Sequence, residues 1–175
     1  MTVIRILGMI LTLSTSTALG LYLANMAAFR LKNLLEFKQA LLMLKSEIGY
    51  VATPLPEAMA NISERTALPV SQIFEHFSAS LKQNKEGETA YRLWLAAIDA
   101  NKNESFLKAE DMEAIEGFGK TLGYLDKEMQ KESIDFTLEY INGKVSDLQE
   151  VKGKNQRLYR SLGIIGGILL LVVFW

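Results

Sequence analysis

Leu34, Phe37, Leu41, Leu44, Ile48 and Val51 alternate steps of three and four, which draws one apolar stripe along a helix. Thr53-Pro54-Leu55-Pro56 ends that helix. Thr53 can cap, and Pro54 suits the first turn of a second helix running to about Arg65. Pro69 opens a third, with Val70, Ile73, Phe74, Phe77 and Leu81 on one face. The polar break Lys85-Glu86-Gly87 precedes a fourth around Tyr91, Trp94, Leu95 and Ile98. A fifth begins near Ala109, where Glu110, Asp111 and Glu113 favour the positive end of the helix dipole, and Gly123 closes it. Asp126 can cap a sixth, on which Ile134, Leu138, Ile141, Val145 and Leu148 again step by four and three. The pattern predicts an all-α fold, a six-helix bundle without strands.

The two ends of the chain follow another rule. Ile6 to Phe29 carries no charge, and neither does Ser161 to Trp175. As a helix the first segment is about 36 Å long, more than the roughly 30 Å hydrocarbon core of a bilayer. The second is about 22 Å on the same rise, and reaches across if Leu158 and Tyr159 join it while Arg160 snorkels to the interface. The expected organisation is a transmembrane helix at 6–29, a helical domain at 30–157 and a second transmembrane helix at 158–175. Both spans enter one bilayer, so the first and sixth helices must run antiparallel, with their stripes facing each other as in a bundle.

Charge distribution orients this arrangement. From Glu57 to Glu150 there are eighteen acidic and ten basic residues. The flanks reverse the sign, with Arg30, Lys32, Lys38 and Lys45 on one side and Lys152, Lys154, Arg157 and Arg160 on the other. Basic residues near span ends stay in the cytoplasm, which places the domain there and both termini across the membrane. The near-neutral total argues against nucleic acid as a partner, and the chain has no cysteine. A competing reading takes Ser16-Thr17-Ala18 as a signal-peptide cleavage site. The uncharged segment continues eleven residues past Ala18, which disfavours it.

Gly8, Thr12, Ser16, Gly20, Ala24 and Ala28 fall at every fourth position of the first segment, and Gly163 and Gly167 form a G-x-x-x-G in the second. Such small-residue faces let membrane helices approach closely, so Gly20, Ala24, Gly163 and Gly167 are the candidate packing positions.

Catalytic chemistry finds little support. Gly119-Lys120-Thr121 looks like the end of a phosphate loop, but the first glycine would fall at Ala114, and no strand precedes it. His76 is the only histidine and there is no thiol, which disfavours zinc or a histidine-driven nucleophile. The apolar segments contain no ionisable side chain of the kind that intramembrane catalysis or ion transport uses. The expectation is a non-enzyme without a cofactor. Glu110, Asp111, Glu113 and Glu116 suit a cation or a basic partner, against the plainer reading, favoured for the first three, of a solvated helix start. Thr53, Pro54, Pro56, Gly123 and Asp126 read as turn and cap residues.

Three stretches carry a resemblance. Glu47-Ile48-x-Tyr50-x-x-Thr53-Pro54-Leu55-Pro56-Glu57-Ala58 resembles the hallmark of the stage III sporulation protein AB family. Gly119-Lys120-x-Leu122-Gly123-x-x-Asp126-x-Glu128-x-Gln130 is similar to a later run of that family, as is Leu158-Tyr159-Arg160-Ser161-Leu162-Gly163 followed by Gly166-Gly167. The resemblance implies a secretion-like complex between mother cell and forespore in endospore-forming bacteria. It implies kinship with the inner-membrane platform protein F of type II secretion and type IV pilus machines, which works beside a secretion-type ATPase. The domain would lie in the mother-cell cytoplasm, with the spans in the membrane around the forespore. Platform proteins usually carry two such domains and three spans, so one domain with two spans departs from their pattern, and a homo-oligomer could supply the missing copy. A membrane-tethered adaptor or sensor without a secretion role is the alternative.

Overall fold

The structure is a computed structural model that describes residues 25–51, 53–84, 87–102, 105–123 and 127–174, with side chains described up to Val151 except at 50 and 51. The described residues form helices joined by turns, with no strand among them. Helix α1 covers residues 25–46 and runs into a π-helical turn, Glu47–Val51. There follow α2 (Leu55–Ser63), α3 (Val70–Gln83), α4 (Ala90–Asn101), α5 (Ala109–Phe118) and α6 (Lys127–Phe174).

The stripes meet in one core. On α1, Leu34, Phe37, Leu41 and Leu44 are buried, as is Ile48 in the π turn, and on α6 so are Ile134, Leu138, Ile141 and Val145. The same core holds an aromatic cluster centred on Trp94 of α4. Its indole meets Phe74, Phe77 and Phe118 edge-on, with ring centroids 5.6, 5.2 and 5.6 Å away. Trp94 Nε1 donates to the Ile115 carbonyl at 2.9 Å, so the buried ring leaves no polar atom unpaired.

Helices α1 and α6 run antiparallel. Lys45 of α1 pairs with Asp135 of α6 at 2.5 Å, and a Cβ on Gly49 would lie 3.5 Å from Cε of Lys131, so the α1 number rises as the α6 number falls. At this end α6 touches both the π turn and the short 3-10 turn Gly119–Thr121 that follows α5. The first two motif stretches therefore converge at the opposite end of the pair from residue 25.

Several turn residues do other work than the sequence suggested. Thr53 does not cap α2; its hydroxyl donates to Glu47 Oε2 at 2.5 Å and ties the linker back to the π turn. Pro54 is itself the N-cap, its carbonyl accepting from Glu57 and Ala58 at 3.0 and 2.9 Å, and Pro56 occupies the first turn, where an N–H would lack a partner anyway. Helix α5 stops at Phe118, five residues before Gly123, because the chain tightens into the 3-10 turn. Gly123 then takes φ +84°, a conformation that costs glycine little. Asp126 lies outside the described residues, as do Gly20 and Ala24. Gly163 and Gly167 fall in the helical backbone of α6, beyond its last described side chain. Among the described residues no helix is long and apolar enough to cross a membrane.

Candidate functional site

The core stripe of α1 continues one turn back from Leu34 to Arg30, and Arg30 is buried, 8% exposed. On α5, Asp111, Ile115 and Phe118 are spaced by four and three and all three are buried, with Asp111 fully so. A cation and a carboxylate thus both occupy positions that their helices turn inward. They meet as a fork: Arg30 Nε donates to Asp111 Oδ2 at 2.7 Å and Arg30 Nη2 to Oδ1 at 2.9 Å. The planar guanidinium matches the carboxylate edge, which makes this geometry strong and directional.

Around the pair a polar clasp closes across three helices. Arg30 Nη2 also reaches Glu110 Oε1 at 2.9 Å, and Lys144 of α6 holds the other oxygen of Glu110 at 3.1 Å. Tyr140 of α6 donates its hydroxyl to Asp111 Oδ1 at 3.2 Å, and Lys144 lies 5.4 Å from the centre of the Tyr140 ring. The third residue of α5, Asp111 also accepts from the Lys108 amide at 2.9 Å and so satisfies the donor at the helix start. Beside the clasp, Asn33 donates its side-chain amide to the Ser105 carbonyl, and Phe29 stacks on Phe106 with centroids 5.2 Å apart.

These contacts set the protonation of the site. Burial alone would push the Asp111 carboxyl up, but the Arg30 guanidinium, the Lys108 amide and the Tyr140 hydroxyl outweigh it and hold the group below its ordinary range. The ammonium of Lys144, followed by Arg30, lowers Glu110. Tyr140 is pushed up to about 12, first by burial and then by the negative charges of Asp111 and Glu110. The site at neutral pH is a fixed ion network with a neutral phenol, built for rigidity.

The four acidic residues expected to form one contact surface do not share a face. Asp111 is corrected from partner contact to internal anchor, because the helix turns it onto the Ile115 and Phe118 side. Glu110 is engaged by Arg30 and Lys144. Glu110 and Glu113 are nonetheless exposed and Glu116 is half-buried, so only Asp111 is lost from that surface. Arg30, expected only as a basic flank of the first span, is a structural ion. Tyr140 and Lys144 were not singled out by sequence reasoning. The exposed His76 has its Nδ1 3.0 Å from Asn101 Nδ2. Among the described residues no group of histidine, aspartate or glutamate side chains is placed to hold a metal ion.

The relatives of the chain agree on one family. The family model for stage III sporulation protein AB matches residues 5–175. Stage III sporulation protein AB of Bacillus subtilis (strain 168) is 29% identical over 170 residues, 97% of this chain and 98% of that protein. A solved structure of stage III sporulation protein AB matches at a TM-score of 0.66 and 28% identity, covering 72% of this chain and 98% of that one. The chain belongs to the stage III sporulation protein AB family.

Proposed function

We propose that this chain is a non-enzymatic membrane platform in a secretion-like complex between mother cell and forespore, where it couples a cytoplasmic secretion-type ATPase to the transenvelope assembly. The domain faces the mother-cell cytoplasm, and the segments at 6–29 and 158–175 span the membrane around the forespore. The observation that carries the reading is the clasp. It joins α1, α5 and α6 one residue beyond the end of the first uncharged segment, on the two helices that lead toward the proposed spans. A displacement of α5 is then shared by α1 and α6 rather than absorbed within the domain.

Exposed Glu113, with Glu116 beside it, supplies docking charge for a basic surface of the ATPase. The test is capture of the full chain from sporulating cells in mild detergent, followed by identification of the proteins retained with it. A secretion-type ATPase is expected among them, and its retention weakens when Glu113 and Glu116 are replaced by lysine. A stably expressed chain that never retains such an ATPase overturns the platform reading.

A further inference from the structure

We propose that residues 105–108, which lead into α5, form a third membrane contact, in which Phe106 enters the headgroup layer of an anionic bilayer beside the end of the first apolar segment. The inference rests on the two-span reading and adds to it a site that fixes how the domain leans on the membrane.

Phe106 is 44% exposed and Phe29, on which it stacks, is 49% exposed. The two rings lie only 21° from parallel, so together they present one aromatic surface. Met26, one turn earlier on α1, is 37% exposed and extends it back along the apolar segment. The loop holds Phe106 outward by several ties. Ser105 Oγ donates to the Lys102 carbonyl at 2.8 Å and Asn33 grips the Ser105 carbonyl, while Phe106 takes φ +51°, which bulky residues seldom adopt. A side chain displayed beside such ties on a strained backbone is set toward something.

Its level identifies the partner. Phe29 is the last residue of the uncharged run, and that run as a helix exceeds the roughly 30 Å hydrocarbon core by about 6 Å. With that surplus on the domain side, its final turn emerges in the interface, and Phe106, stacked on Phe29, sits at the same level. Exposed Lys32 and Lys108 flank the pair and suit anionic headgroups. Aromatic and aliphatic side chains beside lysine are the composition that interfacial segments use.

The absence of cysteine makes the test direct. The full chain carrying Phe106→Cys, Lys108→Cys or Lys127→Cys is labelled with an environment-sensitive fluorophore and reconstituted into phosphatidylethanolamine–phosphatidylglycerol vesicles. Lys127 is the reference, about 26 Å along α6 from Lys144. The label at 106 is expected to emit to the blue of that at 127, and to be quenched by lipids spin-labelled near the headgroup. The label at 108, which leaves the aromatic pair intact, shows the same quenching to a smaller degree. Quenching separates lipid contact from a label merely resting on Phe29. If both loop labels stay as water-exposed as the reference in a chain that resists alkaline carbonate extraction, the membrane contact is overturned and the two-span reading stands. If carbonate strips the chain from the vesicles, both fall.

Discussion

Gly119 lies directly beneath the Trp94 indole: a Cβ at that position would fall 2.0 Å from Trp94 Cδ1 and 2.8 Å from Cγ and Nε1. The glycine is there because the central ring of the core occupies the space that a side chain would need. The 3-10 turn Gly119–Thr121 can press against α4 only without a methyl group in the way. The glycine of the phosphate-loop-like run Gly119-Lys120-Thr121 is accounted for by this packing.

Gly119→Ala is therefore expected to cost about 1–3 kcal/mol as an overpacking change. Trp94→Ala is expected to cost about 3–5 kcal/mol, because it empties the centre of the aromatic cluster and leaves the Ile115 carbonyl without its donor. In the Trp94→Ala background the alanine at 119 enters the vacated space, so the double variant is less destabilised than the sum. Urea melts of residues 25–154 measure all three. Additive losses would show that the ring and the glycine are not in contact.

Arg30 and Asp111 give a second cycle. Truncation of Arg30 to alanine strands a carboxylate with no exposed surface, and losses of this kind run to about 3–5 kcal/mol. Arg30→Met combined with Asp111→Leu removes both charges and is expected to cost much less than either single change, since an apolar pair of similar size can replace a buried ion pair. The same melts report it. A double variant as weak as the worse single would mean that the clasp holds the helices by its hydrogen bonds to Glu110 and Tyr140 rather than through this pair.

The stripes on α1, α3 and α6 were legible because helical periodicity is local: each is complete within eighteen residues or fewer, and their members are buried as spaced except for half-buried Leu81 and Leu148, while the side chain of Val51 lies outside the described residues. The clasp was not, since Arg30 and Asp111 are 81 residues apart and their pairing depends on tertiary packing. A signal was nonetheless present. Arg30 precedes Leu34 by four and Asp111 precedes Ile115 by four, so each charge heads a core stripe and needs an opposite partner inside. Glu110, Glu113 and Glu116 step by three along one side of α5, and only Asp111, a single residue on from Glu110, is turned inward by the helix. Thr53 misled too, as its hydroxyl could serve either the helix before it or the one after.

Acid and alkali should attack the clasp through different groups. Asp111 has a lowered folded-state pKa, so its contribution is present above the ordinary carboxylate value of about 3.9 and is lost as pH falls through the lower folded value. Tyr140 is raised to about 12, so its contribution is complete below the unfolded value of about 10 and disappears as pH rises from there through about 12. Tyr140→Phe should flatten that alkaline loss and leave most of the acid loss. An unchanged alkaline profile in the phenylalanine variant would place the sensitivity elsewhere.

Topology is tested with reporters. Fusion after Trp175 is expected to read extracytoplasmic and insertion at the Lys85–Gly87 break to read cytoplasmic, because the basic residues cluster on the domain side of both apolar segments. A cytoplasmic reading after Trp175 would reduce the second segment to an interfacial one. A mature protein beginning near residue 19 would replace the first span with a cleaved leader.

If contact rather than chemistry is the task, the consequential substitutions lie where helices meet. Lys120 is exposed on the 3-10 turn, so Lys120→Ala should leave both folding and the yield of heat-resistant spores near normal. The pair Gly163→Leu with Gly167→Leu should lower that yield sharply while the domain remains folded, because bulky side chains would push apart helices that approach through small residues. The domain carries its own core, and its melting curve is the control. Loss of sporulation from Lys120→Ala in a stably folded chain would contradict the platform reading, since that lysine would then serve a phosphate or another ligand. Normal sporulation from the double leucine variant would show that the segment's packing, whatever its place in the membrane, is not what transmits the work of the domain.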